Sequence, residues 1–265
     1  MVPPQRLVSL LRDPLDSGDL RADGDALLNP ATGKRYPIVD GIPVFVEAAG
    51  LGPLNSRYRK MYDRLSFGYD ASLWLGDLLY FGKISKLRRT IAAALGLRPG
   101  LRCLYTSIGT GADVPFLIER VPLQSIDFVG LDLSMGMLKR CRKRLGGFAD
   151  TSLLVQANAE RLPFADASFD VVLHVGGINF FDHPDAAVRE MLRVAKPGAV
   201  LVVSDETKKV VKTSYKRNPF TRGYFKDAAM DFNPRSWVPE SAVAVTYDEV
   251  WGGRGYILAF RAPGG

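Results

Sequence analysis

Cysteine and histidine are scarce in this 265-residue chain, which contains two of each. Cys103 and Cys141 are too few for a disulfide framework or a four-thiolate metal site, so both are expected to stay thiols in a reducing compartment. No apolar run approaches the roughly 18 residues that span a bilayer. The opening stretch, MVPPQRLVSLLRD, also lacks the long apolar segment and small-residue cleavage site of a secretory signal. A cytoplasmic protein without a membrane span is therefore expected. Internal repeats and low-complexity tracts are missing too, which argues against a repeat array.

What the chain does have is a hydrophobic content of 47%, enough for one substantial core with room for a small appendage. Its formal net charge is +7. The basic residues fall in runs: Lys139, Arg140, Arg142, Lys143 and Arg144, then Lys208, Lys209, Lys212, Lys216, Arg217 and Arg222. Such runs are ordinarily solvated faces, so nucleic acid is not the expected partner despite the charge.

Three stretches differ in character. Residues 1–48 carry turn signals at Asp23-Gly24, Thr32-Gly33 and Asp40-Gly41 between short apolar runs, the pattern of a small antiparallel β module. Residues 49–100 read as helical, with Tyr58, Met61, Tyr62 and Leu65 at helical spacing, then Leu73 to Leu79 and Ile84 to Leu95. From residue 101 to 265, strands alternate with helices. Strands are expected at 102–107, 127–132, 152–156, 169–174 and 199–204, helices after Ala112 and at 134–145 and 184–194, and a closing pair of strands near 242–248 and 254–261. That order predicts an α/β fold with a doubly wound sheet.

The chemistry concentrates at the strand ends. Cys103 to Gly111, CLYTSIGTG, delivers an apolar run into Gly109-Thr110-Gly111, and about twenty residues later a second strand ends at Asp132. Glycines let backbone approach a ligand closely, and an acid there can accept from ribose hydroxyls. On their own, Gly109 and Gly111 would suit any tight strand-to-helix turn, and Asp132 or Ser134 any helix cap. Four segments in order narrow the choice: IGTGADVPF, FVGLDLSMGMLKRCRKRL, ANAERLPFADASFDVVLHVGGINFF and REMLRVAKPGAVLVVSDET.

Together these segments resemble the class I S-adenosylmethionine-dependent methyltransferases, in particular the small-molecule group that includes ubiquinone/menaquinone-type enzymes, over roughly residues 56–262. The resemblance implies a seven-stranded Rossmann-like sheet and an adenosyl cofactor held by Tyr105, Ser107, Ile108, Gly109, Gly111, Asp132, Leu133, Asn158, Ala159 and Glu160. Two places depart from the pattern: Tyr105 stands where an acid is usual, and Ser107 stands where the first glycine is usual. The segment with Tyr58, Tyr62, Phe67, Tyr69, Tyr80 and Phe81 corresponds to a lid over the cofactor. Tyr62, Tyr69, Gly177, Asn179 and Phe180 are the implied acceptor pocket, with His174 as candidate general base. His183, before Pro184, is read as a residue at the start of a helix. The connection from Thr207 to Pro239, basic and aromatic, is expected to cap the acceptor site.

The first 48 residues resemble the zinc-ribbon-like module that precedes many bacterial methyltransferase domains. Asp13, Asp16, Asn29 and Thr32 occupy the four ligand places, without a single thiolate. Zinc prefers thiolate and imidazole, so a metal-free remnant is expected. The leading functional expectation is methyl transfer to a small, partly apolar acceptor. A biosynthetic cyclase, isomerase or noncatalytic partner on the same fold is the first alternative, and an RNA methyltransferase the second.

Overall fold

The computed structural model describes residues 5–46, 50–79, 82–149, 151–210 and 232–264, with backbone alone for 65, 67–69 and 71–79. A short helix α1 (Gln5–Val8) leads into a four-stranded antiparallel sheet of β1 (Arg21–Asp23), β2 (Ala26–Leu28), β3 (Arg35–Val39) and β4 (Ile42–Pro43), paired in chain order. Asp40 and Gly41, at φ 52° and 75°, form the two-residue turn between β3 and β4. Both central residues left-handed is the turn geometry that matches strand twist, and Asp-Gly suits it.

Two helices follow, α2 (Pro53–Leu79) and α3 (Lys83–Ala94). Within the stretch read as helical, α2 runs unbroken for 27 residues. At about 1.5 Å per residue it is long enough to cross a bilayer. It carries Arg57, Arg59, Lys60, Asp63, Arg64 and Asp70, however, and among the described residues no helix is long and apolar enough to do so.

The remaining elements build a seven-stranded mixed sheet. Its strands are β5 (Arg102–Thr106), β6 (Asp127–Asp132), β7 (Leu153–Gln156), β8 (Phe169–Val175), β9 (Ala195–Glu206), β10 (Val243–Val250) and β11 (Gly255–Arg261). The spatial order is β10-β11-β9-β8-β5-β6-β7. Strands β5 to β9 pair in parallel, and β11 pairs antiparallel with both β9 and β10. Helices α4 (Val114–Ile118), α5 (Met135–Leu145) and α6 (Pro184–Val194) fill the crossovers. The expected strands of the large sheet are all present; β9 is longer than expected, and α4 is a helix of only 5 residues.

Both faces of the sheet are covered, which is why its parallel strands read as nearly continuous apolar runs. One face packs Leu104, Val129, Val172 and Leu201 against Val188, Met191 and Val194 of α6 and against Leu7, Leu11, Leu27 and Tyr36 of the N-terminal segment. The other packs Cys103, Phe128, Leu173 and Val202 against Ile91 and Leu95 near α3 and Leu138, Cys141 and Leu145 of α5. Burial pushes both thiols up to about 12, so they stay protonated core groups. The small sheet also protects an edge of the large one: Phe45 N donates to Gln156 O at 2.8 Å, alongside β7. Left bare, that row of backbone groups would be open to pairing with another chain.

Candidate active site at the carboxyl edge of the sheet

The strand order reverses between β5 and β8, and the crevice outside the carboxyl ends of strands at such a point is where open α/β sheets take ligands. The loop leaving β5 turns there through three left-handed residues, Ser107 (φ 56°), Gly109 (φ 58°) and Gly111 (φ 73°). A Cβ on Gly111 would lie 2.9 Å from Cys141 Sγ, whereas one on Gly109 would meet nothing within 4 Å. Gly111 thus serves packing, and Gly109 leaves open space.

Ser107 adopts the conformation that glycine takes freely, at a cost of roughly 1–2 kcal/mol for an L residue. Ser107→Gly should therefore keep the fold and raise stability by under about 1 kcal/mol, since added freedom in the unfolded chain offsets part of the relief. Urea unfolding checks this, and a lower midpoint for the variant would refute the strain.

Asp132 ties the second strand to this loop. Its Oδ2 accepts from Gly109 N at 2.8 Å and its Oδ1 from Ser134 N at 2.8 Å. Burial pushes its carboxyl up to about 6; the Ser134 and Gly109 amides oppose that push, and the Asp63 charge adds to it. Leu133 lies half-buried beside it, with its carbonyl accepting from Gln156 Nε2. Ile108 is buried, and a Cβ on Gly130 would come within 2.7 Å of its Cδ1.

Tyr105 turns the other way. Its ring is 1% exposed in the core on the α3 side, and its hydroxyl donates to Asp113 Oδ2 at 2.6 Å. Arg88 Nε sits 3.0 Å from the other oxygen of Asp113. Strand alternation puts Tyr105 and Leu104 on opposite faces, so the Tyr105 side chain braces the loop from beneath.

Beyond β7, Asn158 Oδ1 accepts from Glu160 N at 3.0 Å in a local turn, and Ala159 is buried. Glu160 Oε1 accepts from Asn55 Nδ2 at 2.8 Å and His183 N at 3.0 Å. It holds the start of α2.

The loop after β8 is equally tied. Gly176 and Gly177 are left-handed, at φ 76° and 91°, with open space beside both. Asn179 is buried: its N–H donates to Asp205 Oδ2, its Nδ2 to Glu206 O at 2.7 Å, and its Oδ1 accepts from Tyr256 OH. Burial, and then the Glu206 charge, push Asp205 well above the usual carboxylate range. Phe180 packs against Tyr58 of α2 with ring centroids 5.3 Å apart.

His174 does not reach the crevice as a free base. It is 0% exposed, its Nδ1 is 2.9 Å from Thr106 Oγ1, and Phe181 meets it edge-on. Burial pushes its pKa down to about 4 against a smaller opposing pull from the Gly176 backbone, so the ring is neutral at neutral pH. A depressed folded pKa of this kind supports stability above about 6.5 and withdraws it as pH falls toward 4.

Helix α2 closes over this edge by carboxylates that the aromatic spacing alone did not reveal. Asp182 accepts from Leu54 N and Asn55 N, capping its first turn. Asp63 Oδ1 accepts from Ser134 Oγ at 2.5 Å and Gly136 N at 3.1 Å. Asp70 accepts from Thr110 Oγ1 at 2.6 Å and pairs with Arg144. Asn55, Asp63, Ser66 and Asp70 share one helical face, and that polar stripe was the available signal. Tyr62 is half-buried; the side chains of Phe67 and Tyr69, and Tyr80 and Phe81 altogether, lie outside the described residues, as do residues 211–231 of the capping connection.

Helices α2 and α5 pack closely at Gly136, where a Cβ would lie 3.1 Å from Ser66 Oγ and 3.3 Å from the Asp63 backbone. Gly136→Val should lever α2 off α5 and speed proteolytic cutting within 53–79 by about tenfold, at a local opening cost near 1.4 kcal/mol. An unchanged cutting rate would count against the contact.

A family model described as a methyltransferase domain matches residues 104–203. A demethylmenaquinone methyltransferase from a Parafrankia species is 33% identical over 186 residues, covering 63% of this chain and 70% of that protein. The chain belongs to the class I S-adenosylmethionine-dependent methyltransferases. A second demethylmenaquinone methyltransferase, from Renibacterium salmoninarum, is 37% identical over 145 residues, 55% of this chain and 56% of that protein. This methyltransferase-family chain thus spans about half the length of the first curated relatives it matches. Its fold is also that of the (4+2)-cyclase SpnF, with a TM-score of 0.53 and 19% identity over 68% of this chain and 81% of that one.

In the N-terminal segment, Asp13, Asp16, Asn29 and Thr32 form a hydrogen-bonded cluster. Asn29, 0% exposed, donates through Nδ2 to Asp13 Oδ2 at 2.8 Å and to Asp16 at 3.1 Å. Its Oδ1 accepts from Ala31 N and Thr32 N, and Tyr36 OH donates to Asp13 Oδ1 at 2.6 Å. Burial works to raise the Asp13 carboxyl, but the bonds from Tyr36, Asn29 and Leu15 N outweigh it and hold Asp13 below the usual carboxylate range.

Proposed function

We propose that this chain transfers the methyl group of S-adenosylmethionine to a small, partly apolar, quinone-like acceptor. The observation that carries the reading is the crevice at the strand-order reversal, where ionisable Asp132, the open Gly109 loop and the open Gly176-Gly177 turn converge beneath α2. These groups suit an adenosyl ligand: an acid for ribose hydroxyls at one end and bare backbone for close approach along the rest.

Asp132 would accept from the ribose, each charge-assisted bond being worth about 1.5–3 kcal/mol. Leu133 would flank the adenine, with Asn158 and Ala159 at its edge. The backbone of Ile108 to Gly111 would line the amino-acid end, and Ser107 and Tyr105 would shape that loop from behind. When bound, the cofactor supplies a methyl group already activated on a sulfonium. The protein's task is then to hold the acceptor in line and keep water out, and Tyr58, Tyr62 and Phe180 border the side where it would lie. His174, neutral and without exposed surface, would act through Thr106 in ordering the ends of β5 and β8.

The acceptor class is taken from the relatives, named for demethylmenaquinone. For the N-terminal module we infer a zinc-free knuckle, supported by the Asp13-Asn29-Asp16 bonds that occupy the would-be ligands.

Calorimetry with S-adenosylmethionine, followed by mass spectrometry of a demethylated quinone incubated with it, tests the reading. Binding with product that is one methyl heavier is expected. Absence of binding up to millimolar cofactor would sink it. Binding without transfer would favour the second reading, a cyclase or noncatalytic role, for which the left-handed Ser107 and the SpnF-like fold speak.

A further inference from the structure

The loop that leaves β5 at Thr106 and enters α4 at Val114 holds its left-handed path with few backbone bonds. Ile108 N donates to Leu131 O and Gly111 N to Ile108 O, each at 2.9 Å, and Gly109 N donates to Asp132. One carboxylate joins the two ends of this loop on the α3 side of the sheet. Asp113 Oδ2 accepts from Tyr105 OH at 2.6 Å, and Asp113 Oδ1 lies 3.0 Å from Arg88 Nε. Arg88 also donates through Nη1 to Ala112 O at 3.3 Å, so α3 grips the exit of the loop twice.

Asp113 stands just before α4, where an aspartate ordinarily caps a helix, yet its side chain makes no capping bond. Its two oxygens serve β5 and α3 instead. The Arg88 and Asp113 side chains are 17% and 14% exposed, so water screens the pair weakly. Tyr105 is buried, and its O–H would lose a bond that solvent cannot replace if Asp113 moved.

We propose that Asp113 and Arg88 are positioning residues for the cofactor: through Tyr105 they hold the Ile108 to Gly111 backbone in the shape that receives its amino-acid end. The inference rests on the cofactor reading above. It also makes the tyrosine at 105 and the aspartate at 113 a matched pair. Tyr105→Glu would set a second carboxylate beside Asp113, with one guanidinium for both, so an acid is tolerated at one of these places and not at the two together.

Two measurements on the full chain separate this role from simple support of the fold. In amide exchange read by mass spectrometry, Tyr105→Phe should speed exchange at Ile108, Gly109 and Gly111 about tenfold and leave α6 unchanged. In calorimetry, the same variant should weaken S-adenosylhomocysteine by about three- to tenfold, and Asp113→Asn by about tenfold. Tyr105→Glu should weaken it about 10- to 100-fold, and adding Asp113→Asn should recover most of that loss, because the amide can donate to the carboxylate at 105 while Arg88 pairs with it. A double variant weaker than Tyr105→Glu would overturn the matched pair. Lower urea midpoints with loop exchange and affinity unchanged would overturn the positioning role in favour of support of the core. Tyr105→Phe and Asp113→Asn add no charge, so they decide the question even where Tyr105→Glu fails to fold. A wild type that binds no S-adenosylhomocysteine overturns the cofactor reading, and the positioning role with it.

Discussion

Asp132→Asn is expected to lower affinity for S-adenosylhomocysteine by about 100- to 1000-fold, measured by calorimetry at pH 7.5. The wild-type carboxylate accepts from Gly109 N and Ser134 N and keeps lone pairs for two ribose hydroxyls. An amide has one acceptor oxygen to divide among the same donors, and losing one to two charge-assisted bonds accounts for the size of the effect. Acidity should reproduce the loss. Burial raises the folded pKa from 3.8 to about 6, so the charged form is the costly one in the free protein. The stability contributed by this group is complete below 3.8 and lost as pH rises through 6. Binding runs the opposite way, because hydroxyls donate to the carboxylate. Wild-type affinity should fall by up to about tenfold per pH unit below 6, while the Asn variant stays nearly flat. A wild-type affinity independent of pH from 5 to 7.5 would remove Asp132 from the site.

Asn29→Leu is expected to cost roughly 3 kcal/mol in urea unfolding, an effect large for a residue some distance from the crevice. The substitution fills similar space but removes both donors of Nδ2, leaving the buried Asp13 carboxylate with Tyr36 and Leu15 N alone. The same network predicts that a chelator leaves the wild-type melting temperature unchanged, because amide and phenol hydrogens do the work zinc does in a thiolate knuckle. Stoichiometric zinc whose removal unfolds the module would defeat this account, as would a variant within about 0.5 kcal/mol of wild type.

Much of the large sheet was legible in advance. The expected strand at 127–132 is β6, that at 169–174 is β8, and the helix at 184–194 is α6. Buried strands must be apolar on both faces, and the turns between them need glycine or proline, so order and approximate ends are written locally. The nearness of Gly109 to Asp132 follows from the same βαβ logic. The direction of Tyr105, the burial of His174 and the use of Glu160 to anchor a helix could not be read this way, because each depends on a partner far along the chain. Tyr105 meets Arg88 through Asp113, His174 meets Phe181 against Thr106, and Glu160 meets Asn55. The length of α2 belongs to the same class. Gly68 inside it disfavours helix by about 1 kcal/mol on propensity, and the helix persists where Asp63 and Asp70 bind it to the loops after β6 and β5.

The sequence by itself determined the α/β alternation, the family and the two chemical landmarks of the crevice, since all of these rest on periodicity and on residue types a few positions apart. Only the tertiary structure decided which of the named residues face the crevice and which serve as struts. Packing turned Tyr105 and His174 into the core, because a side chain's direction is fixed by what the other elements leave room for, and that is a property of the assembled fold.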